Sequence, residues 1–143
     1  MANQDLTEHK VVTAFLERQG YLLLVRRSEH VGTYQGRWSG ISGYLEDATA
    51  YQQVLREIRE ETGLAYPAVR LRAAGPPLRI EDDQLARCWV VYPFWFRLAE
   101  GVHPRLDWEN TDMCWVQPQE LATMDTVPAL ARAWRFVKGN EHE

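Results

Sequence analysis

Apolar and polar residues fall into distinct runs along the chain. Residues 10–17 carry Val11, Val12, Ala14, Phe15 and Leu16, and residues 21–27 carry Leu22, Leu23, Leu24 and Val25. Gln19 and Gly20 lie between them, so the two runs read as a β-hairpin. The second run is apolar on both faces and belongs in the middle of a sheet. Residues 28–35 are polar and read as a loop, and residues 36–43, Gly-Arg-Trp-Ser-Gly-Ile-Ser-Gly, as one short glycine-rich strand. Over 65–74, Val69, Leu71 and Ala73 share one face and Arg70 and Arg72 the other, a strand with a wet side. Residues 78–83 predict a short edge strand and turn. Residues 87–98 give a strong strand signal, in which Pro93 marks a bulge or an edge. Residues 107–116 end in a short strand and 117–121 in a helical turn. Residues 127–137 predict an amphipathic helix through Leu130, Ala131, Trp134 and Val137.

One segment has a helical period and an unusual polar side. Thr49 and Gln52 have the spacing of a capping box, so a helix starts near Ala50, and Gly63 stands where a left-handed cap ends it. Tyr51, Val54, Leu55, Ile58 and Thr62 share one side of that helix. Glu57, Glu60 and Glu61 share a neighbouring side, at i, i+3 and i+4. Three carboxylates within one turn repel each other. A hard dication removes that repulsion, because Mg²⁺ takes oxygen ligands and keeps several waters. The plain alternative is a solvated acidic face on an ordinary amphipathic helix.

The order of residues separates the two readings. Arg56-Glu57-Ile58-x-Glu60-Glu61-x-Gly63 fixes six positions, a pattern met by chance roughly once in several million start positions. The run resembles the core of the Nudix box, the signature of the Nudix hydrolase (MutT-like) family. From Thr49 onward the match has no gap. Before Thr49 the chain is one residue short: Glu46 fits the family's earlier loop Glu, while the later one is missing, with Ala48 nearest its place. Ser42-Gly43 stands where Gly-Gly is usual. In the family the lost Glu mostly pairs with the box Arg, so Arg56 needs another partner here, Glu46 or Glu60.

The resemblance implies an α/β fold in which a mixed β-sheet is sandwiched between α-helices, as a single domain over residues 1–143. It implies hydrolysis of the diphosphate linkage in a nucleoside triphosphate or other nucleoside diphosphate derivative, by water activated on Mg²⁺ or Mn²⁺. Glu57, Glu60 and Glu61 would hold metal together with the carbonyl of Ser42, and Arg56 would orient one carboxylate. Glu109, six residues before Trp115, resembles the loop Glu of MutT-like members and is the first candidate for general base. Asp112 is the second, and Glu81, Asp82 and Asp83 form a third group. A Nudix-fold nucleotide-binding module with weakened catalysis is the competing reading, motivated by the short loop.

Substrate contacts are open at this level. Arg26 and Arg27 end the second run; one can reach a phosphate while the other is solvent-exposed, and Arg27 is the candidate. Tyr34, Trp38 and Trp95 can stack on a nucleobase, with Tyr34 and Trp38 the candidates for substrate binding. His30 and His103 read as surface histidines.

Composition narrows the partners. At 143 residues the chain can bury a proper core. A net charge of −4 and a pI near 5.6 exclude the basic field of a general nucleic-acid or membrane binder. Cys88 and Cys114 lack metal-ligand spacing and suit a reduced, cytoplasmic pair. Residues 1–5 lack the basic and apolar parts of an export signal. A soluble cytoplasmic protein acting on a small nucleotide is expected, and the family resemblance admits a homodimer.

Overall fold

A computed structural model describes residues 6–139. The polar stretch 1–5, on which the expectation of no export signal rests, lies outside the described residues. Along the chain come β1 (Thr7–Arg18), β2 (Tyr21–Arg27), β3 (Trp38–Ser39), β4 (Ile41–Tyr44) and α1 (Ala50–Thr62). Then follow β5 (Val69–Ala74), β6 (Leu78–Asp82), β7 (Arg87–Leu98), β8 (Asn110–Val116), a 3-10 turn at Pro118–Ala122 and α2 (Leu130–Lys138). Among the described residues the eight strands form one mixed sheet. Its spine is the parallel pair β1 and β7, in register from Thr7 with Arg87 to Glu17 with Arg97.

Both faces of the sheet are buried, one under each helix. Val12, Ala14, Leu16, Leu23 and Val25 pack with Val54 and Ile58 of α1. Their neighbours Phe15, Leu22 and Leu24 point the other way and pack with Leu130, Ala133, Trp134 and Val137 of α2. That two-sided burial explains the apolar runs without alternation. The sheet therefore lies between two helical layers, as the box resemblance implied. Among the described residues no helix is long and apolar enough to cross a membrane.

Several expectations change in detail. The hairpin exists, but β1 and β2 stay in register only at Glu17 with Leu22 and Arg18 with Tyr21. Beyond that they part, and β4 takes over beside β1 from Val11 to Ala14. The one strand expected over 36–43 is thus two, split at Gly40: β3 pairs with β2 and β4 with β1. Pro93 is neither a bulge nor an edge. It sits where the outer neighbour of β7 changes from β6, which ends opposite Val91, to β5, which begins opposite Phe94. A missing N–H costs least at such a junction. Leu71 is exposed rather than inward although it pairs with buried Phe96, and the register shift between Leu71 and Ala73 then puts Ala73 on the opposite face from Val69. The last helix starts at Leu130 rather than 127, since Val127 donates its N–H to the Trp38 carbonyl and Ala129 takes a left-handed φ of 61°.

Candidate active site

The parting of β1 and β2 opens a cavity of about 430 Å³. Its walls come from both strands, β4, α1, the loops before β3 and β8, and the loop into α2. One wall is charged, with Arg27, Glu46, Arg56, Glu57, Glu60 and Glu109. The other is apolar and aromatic, with Ile80, Trp89, Val91, Val127, Pro128 and Leu130.

The helix that carries the carboxylates is fixed at both ends. Thr49 Oγ1 accepts the Gln52 N–H at 3.1 Å. Gly63, at φ 79°, donates its N–H to the Arg59 carbonyl. Both caps are as the sequence predicts. The buried face is not. It comprises Gln53, Val54, Glu57, Ile58, Glu61 and Thr62, while Tyr51 is largely exposed. The helix is rotated so that two glutamates turn toward the sheet.

The three box glutamates consequently differ. Glu57 is buried and its carboxylate lies on Gly43: a Cβ there would stand 2.1 Å from Glu57 Oε1. Glu61 is buried deeper, behind the cavity wall. Its Oε1 accepts from Asn110 Nδ2 at 3.0 Å and its Oε2 has no partner among the described residues. Glu60 is half-exposed and faces Arg56 at 4.0 Å. Burial pushes the Glu57 carboxyl up to about 7, with repulsion from Glu109 and Glu60 adding to it. Burial drives Glu61 well above the usual carboxylate range against the Asn110 hydrogen bond. Glu109 also rises, through burial and the nearby Asp107, with Arg27 opposing.

This donor set fits a hard dication. All its groups are oxygen acids; burial makes Glu57, Glu61 and Glu109 resist ionisation, and one buried oxygen lacks a partner among the described residues. Among the described residues no three His, Cys, Asp or Glu side chains form a ready cage. Mg²⁺ does not require one, since it is commonly held by one or two carboxylates plus waters and substrate phosphates. Ser42 lines the same wall, its hydroxyl bonded to Thr13 Oγ1 at 3.1 Å.

Arg56 is held on several sides. Its Nε donates to Asp47 Oδ2 at 3.1 Å and its Nη2 to Glu46 Oε1 at 3.4 Å. Glu46 and Glu60 are the expected partners, whereas Asp47 is the nearest and was not expected. Buried Gln53 accepts from the Glu46 and Asp47 N–H groups at 2.8 and 2.9 Å and from Arg56 Nη2 at 3.2 Å. The sequence reading missed it; its position three before Arg56, on the same helix face, is the signal that could have found it. Asn110 carried no such signal. It stands opposite Arg27, where one extra residue in β8, Thr111, shifts the register, and from there it reaches Glu61.

The remaining candidates separate cleanly. Arg27 faces the cavity, its Nε donating to the Thr33 carbonyl at 2.9 Å, and burial lowers its pKa against the pull of Glu61 and Glu109. Arg26 is the exposed one, over the Trp38 ring at 5.7 Å. Tyr34 lines the aromatic wall, donating to Asp82 Oδ2 at 2.5 Å and accepting from Trp89 Nε1 at 2.9 Å. Trp38 does not line the cavity; it packs at the margin of the α2-side core. Trp95 is a core residue whose indole N–H serves Glu17. Asp112 is exposed opposite Arg26, and His30 is exposed as expected and also borders the cavity. Trp89, Tyr44 and the largely exposed Trp108 also line it, unannounced by any motif.

Residues 7–136 match the NUDIX domain. Nucleoside triphosphatase NudI of Salmonella agona (strain SL483) is 24% identical over 126 residues, covering 84% of this chain and 89% of that protein. The MutT protein from Methanosarcina mazei Go1 superposes with a TM-score of 0.76 at 24% identity, over 94% of this chain and 96% of that one. The NUDIX domain of Shewanella oneidensis NrtR, solved in complex with ADP ribose, superposes at 0.67 with 19% identity, over 90% and 87%. Box, fold and match agree, and the chain belongs to the Nudix family as a MutT-like Nudix hydrolase.

Proposed function

We propose that the protein hydrolyses the diphosphate linkage of a nucleoside triphosphate or related nucleotide derivative, with Mg²⁺ or Mn²⁺ as cofactor. The observation that carries this reading is the two-sided cavity, with carboxylates and Arg27 on one wall and Trp89, Tyr34 and aliphatic side chains on the other. Such a cavity suits a molecule with a phosphate chain at one end and a flat apolar ring at the other. The likeness to NudI supports a triphosphate, and the ADP-ribose complex of the NrtR domain keeps other nucleotide derivatives in view.

Each residue then has a part. Glu57 and Glu60 present oxygens from α1, Glu61 backs them from inside, and the Ser42 carbonyl completes the set. Bound there, the dication supplies charge neutralisation for the phosphate bridge and lowers the pKa of a water. Arg27 faces the phosphates and offsets their charge. Arg56 holds Glu60 and the loop before the helix in place. Glu109 takes the proton from the attacking water, a task suited to a carboxylate whose pKa is raised. Little covalent work is left for the protein, since phosphoryl transfer depends mainly on position and charge. The setting would be cytoplasmic, and a homodimer is compatible with the reading.

The test is a nucleotide panel with product analysis, with Mg²⁺, with Mn²⁺ and with chelator. Metal-dependent release of a phosphomonoester product is expected, and Glu60→Gln should lower turnover by 100-fold or more, about the effect of removing one charge-stabilising group. Turnover that ignored chelator, or that survived Glu60→Gln, would refute it.

A further inference from the structure

By the box resemblance the loop between β4 and α1 is one residue short and lacks the later Glu, yet it is held at several points. We infer that Gln53 is the residue that positions this loop and, through it, the metal-facing end of the site. Three observations converge on its amide oxygen. It accepts the backbone N–H of Glu46 at 2.8 Å, that of Asp47 at 2.9 Å and Arg56 Nη2 at 3.2 Å. The side chain is 1% exposed, so water does not compete for these donors. The two residues it fastens are the ones whose carboxylates hold Arg56 from the other side.

The arrangement is a closed strap. Gln53 draws the loop backbone onto the helix; the loop returns Glu46 and Asp47 to Arg56; Arg56 returns to Gln53. The residue next to Arg56 is Glu57, whose carboxylate rests on Gly43 near the start of the same loop. A slack strap would let the loop move away from Gly43 and leave Glu57 without a fixed seat. Groups that orient metal-facing side chains in this way influence metal affinity and rate by 10- to 100-fold. Three hydrogen bonds converging on one buried acceptor are also hard to replace, because losing it strands two backbone donors.

The kinetic part of this inference rests on the proposed reaction; the binding and exchange parts do not. Gln53→Met keeps the volume and removes the acceptor. Gln53→Glu restores an acceptor that two N–H groups and an arginine would keep ionised. Three readouts are compared with wild type: amide exchange at Glu46 and Asp47, calorimetric binding of Mn²⁺, and the split between kcat and KM. For Gln53→Met the expected result is faster exchange at both amides, Mn²⁺ affinity about tenfold weaker and kcat down at least tenfold with KM little changed. Gln53→Glu should stay within about threefold of wild type in both binding and kcat. A Gln53→Met protein that merely melts lower, with exchange, Mn²⁺ affinity and kcat all unchanged, overturns the inference. If Gln53→Met does not fold, a folded Gln53→Glu with Mn²⁺ affinity tenfold down overturns it equally. A wild type that turns over no nucleotide defeats the proposed reaction, while exchange and Mn²⁺ binding still decide the strap.

Discussion

Gly43→Ala isolates the seat of Glu57 from the stability of the fold. The added Cβ would stand 2.1 Å from Glu57 Oε1, 2.2 Å from Cδ and 2.6 Å from Oε2. Comfortable contact is about 3.5 Å, so the nearest carboxylate atoms must retreat by about 1.4 Å. The obstacle is the far end of a flexible side chain rather than backbone, and Gly43 does not lie in the left-handed region. Replacing glycine therefore gains about 0.4–1 kcal/mol from the unfolded chain, offset by about 0.5–1.5 kcal/mol if Glu57 leaves its rotamer. The net change is within about 1 kcal/mol, or a few degrees in Tm. Function is far more sensitive, because a displacement of about 1 Å at reacting groups costs about 100-fold. Thermal melts and kcat on the same preparation give both numbers. Glu57→Asp shortens the side chain by about 1.5 Å and removes the collision. The double variant should therefore be no slower than Glu57→Asp alone, a strongly non-additive pair. Gly43→Ala activity within threefold of wild type, or strict additivity of the two changes, would refute the reasoning.

Two further outcomes follow from the electrostatics and the aromatic wall. Without metal, the folded state holds a proton on Glu57 from the ordinary value of 4.5 up to about 7. This raised pKa stabilises the fold fully below about 4.5, and the contribution is lost as pH climbs to about 7, some 3 kcal/mol at 1.36 kcal/mol per pKa unit. Melts of chelated protein across pH 5–8 should show that fall, Glu57→Gln should make it shallower while leaving the part due to Glu61 and Glu109, and a wild type that parallels Glu57→Gln throughout would count against it. Tyr34→Phe strands the Trp89 indole N–H and frees Asp82 from its 2.5 Å hydrogen bond. A loss of about 1–3 kcal/mol in chemical denaturation and a higher KM with near-normal kcat are expected; a drop in kcat alone would place Tyr34 in the chemistry instead of the binding wall.

The fold was legible where local pattern and tertiary environment agree. Runs such as Leu22 to Val25, apolar without alternation, announce a strand covered on both faces, and two helical layers cover it. Both caps of α1 were readable because capping is local chemistry: a hydroxyl at Thr49 and a glycine at the left-handed turn. What was hidden depends on register. Val69, Leu71 and Ala73 alternate in sequence, but one extra residue between Leu71 and Ala73 sends Val69 and Ala73 to opposite faces, and nothing in the side chains marks it. The split of 36–43 into β3 and β4 arises because β1 and β2 diverge, a property of two strands that their own sequences do not state.

The box glutamates show the same boundary inside the site. Helical spacing correctly puts Glu57, Glu60 and Glu61 side by side, yet it treats them as equivalent. The neighbours make them unequal. Gly43 admits Glu57 to a close seat, Asn110 receives Glu61 under the wall, and Glu60 is left at the rim with Arg56. Glu57 and Glu61 are four residues apart and share a stripe, so the rotation that buries one buries the other. Two buried acids that resist ionisation and one half-exposed acid would have different consequences for metal. If the inner pair are ligands as proposed, they would release protons when a cation enters and link binding to pH, whereas the outer glutamate would add charge without that linkage. Metal affinity should accordingly climb with pH through the neutral range in wild type. Replacing Glu60 should weaken binding at every pH without changing that slope, and replacing Glu57 should change the slope itself; calorimetric titration of Mg²⁺ into each protein from pH 6 to 8 distinguishes the two, and equal slopes in all three would mean the inner acids are not ligands.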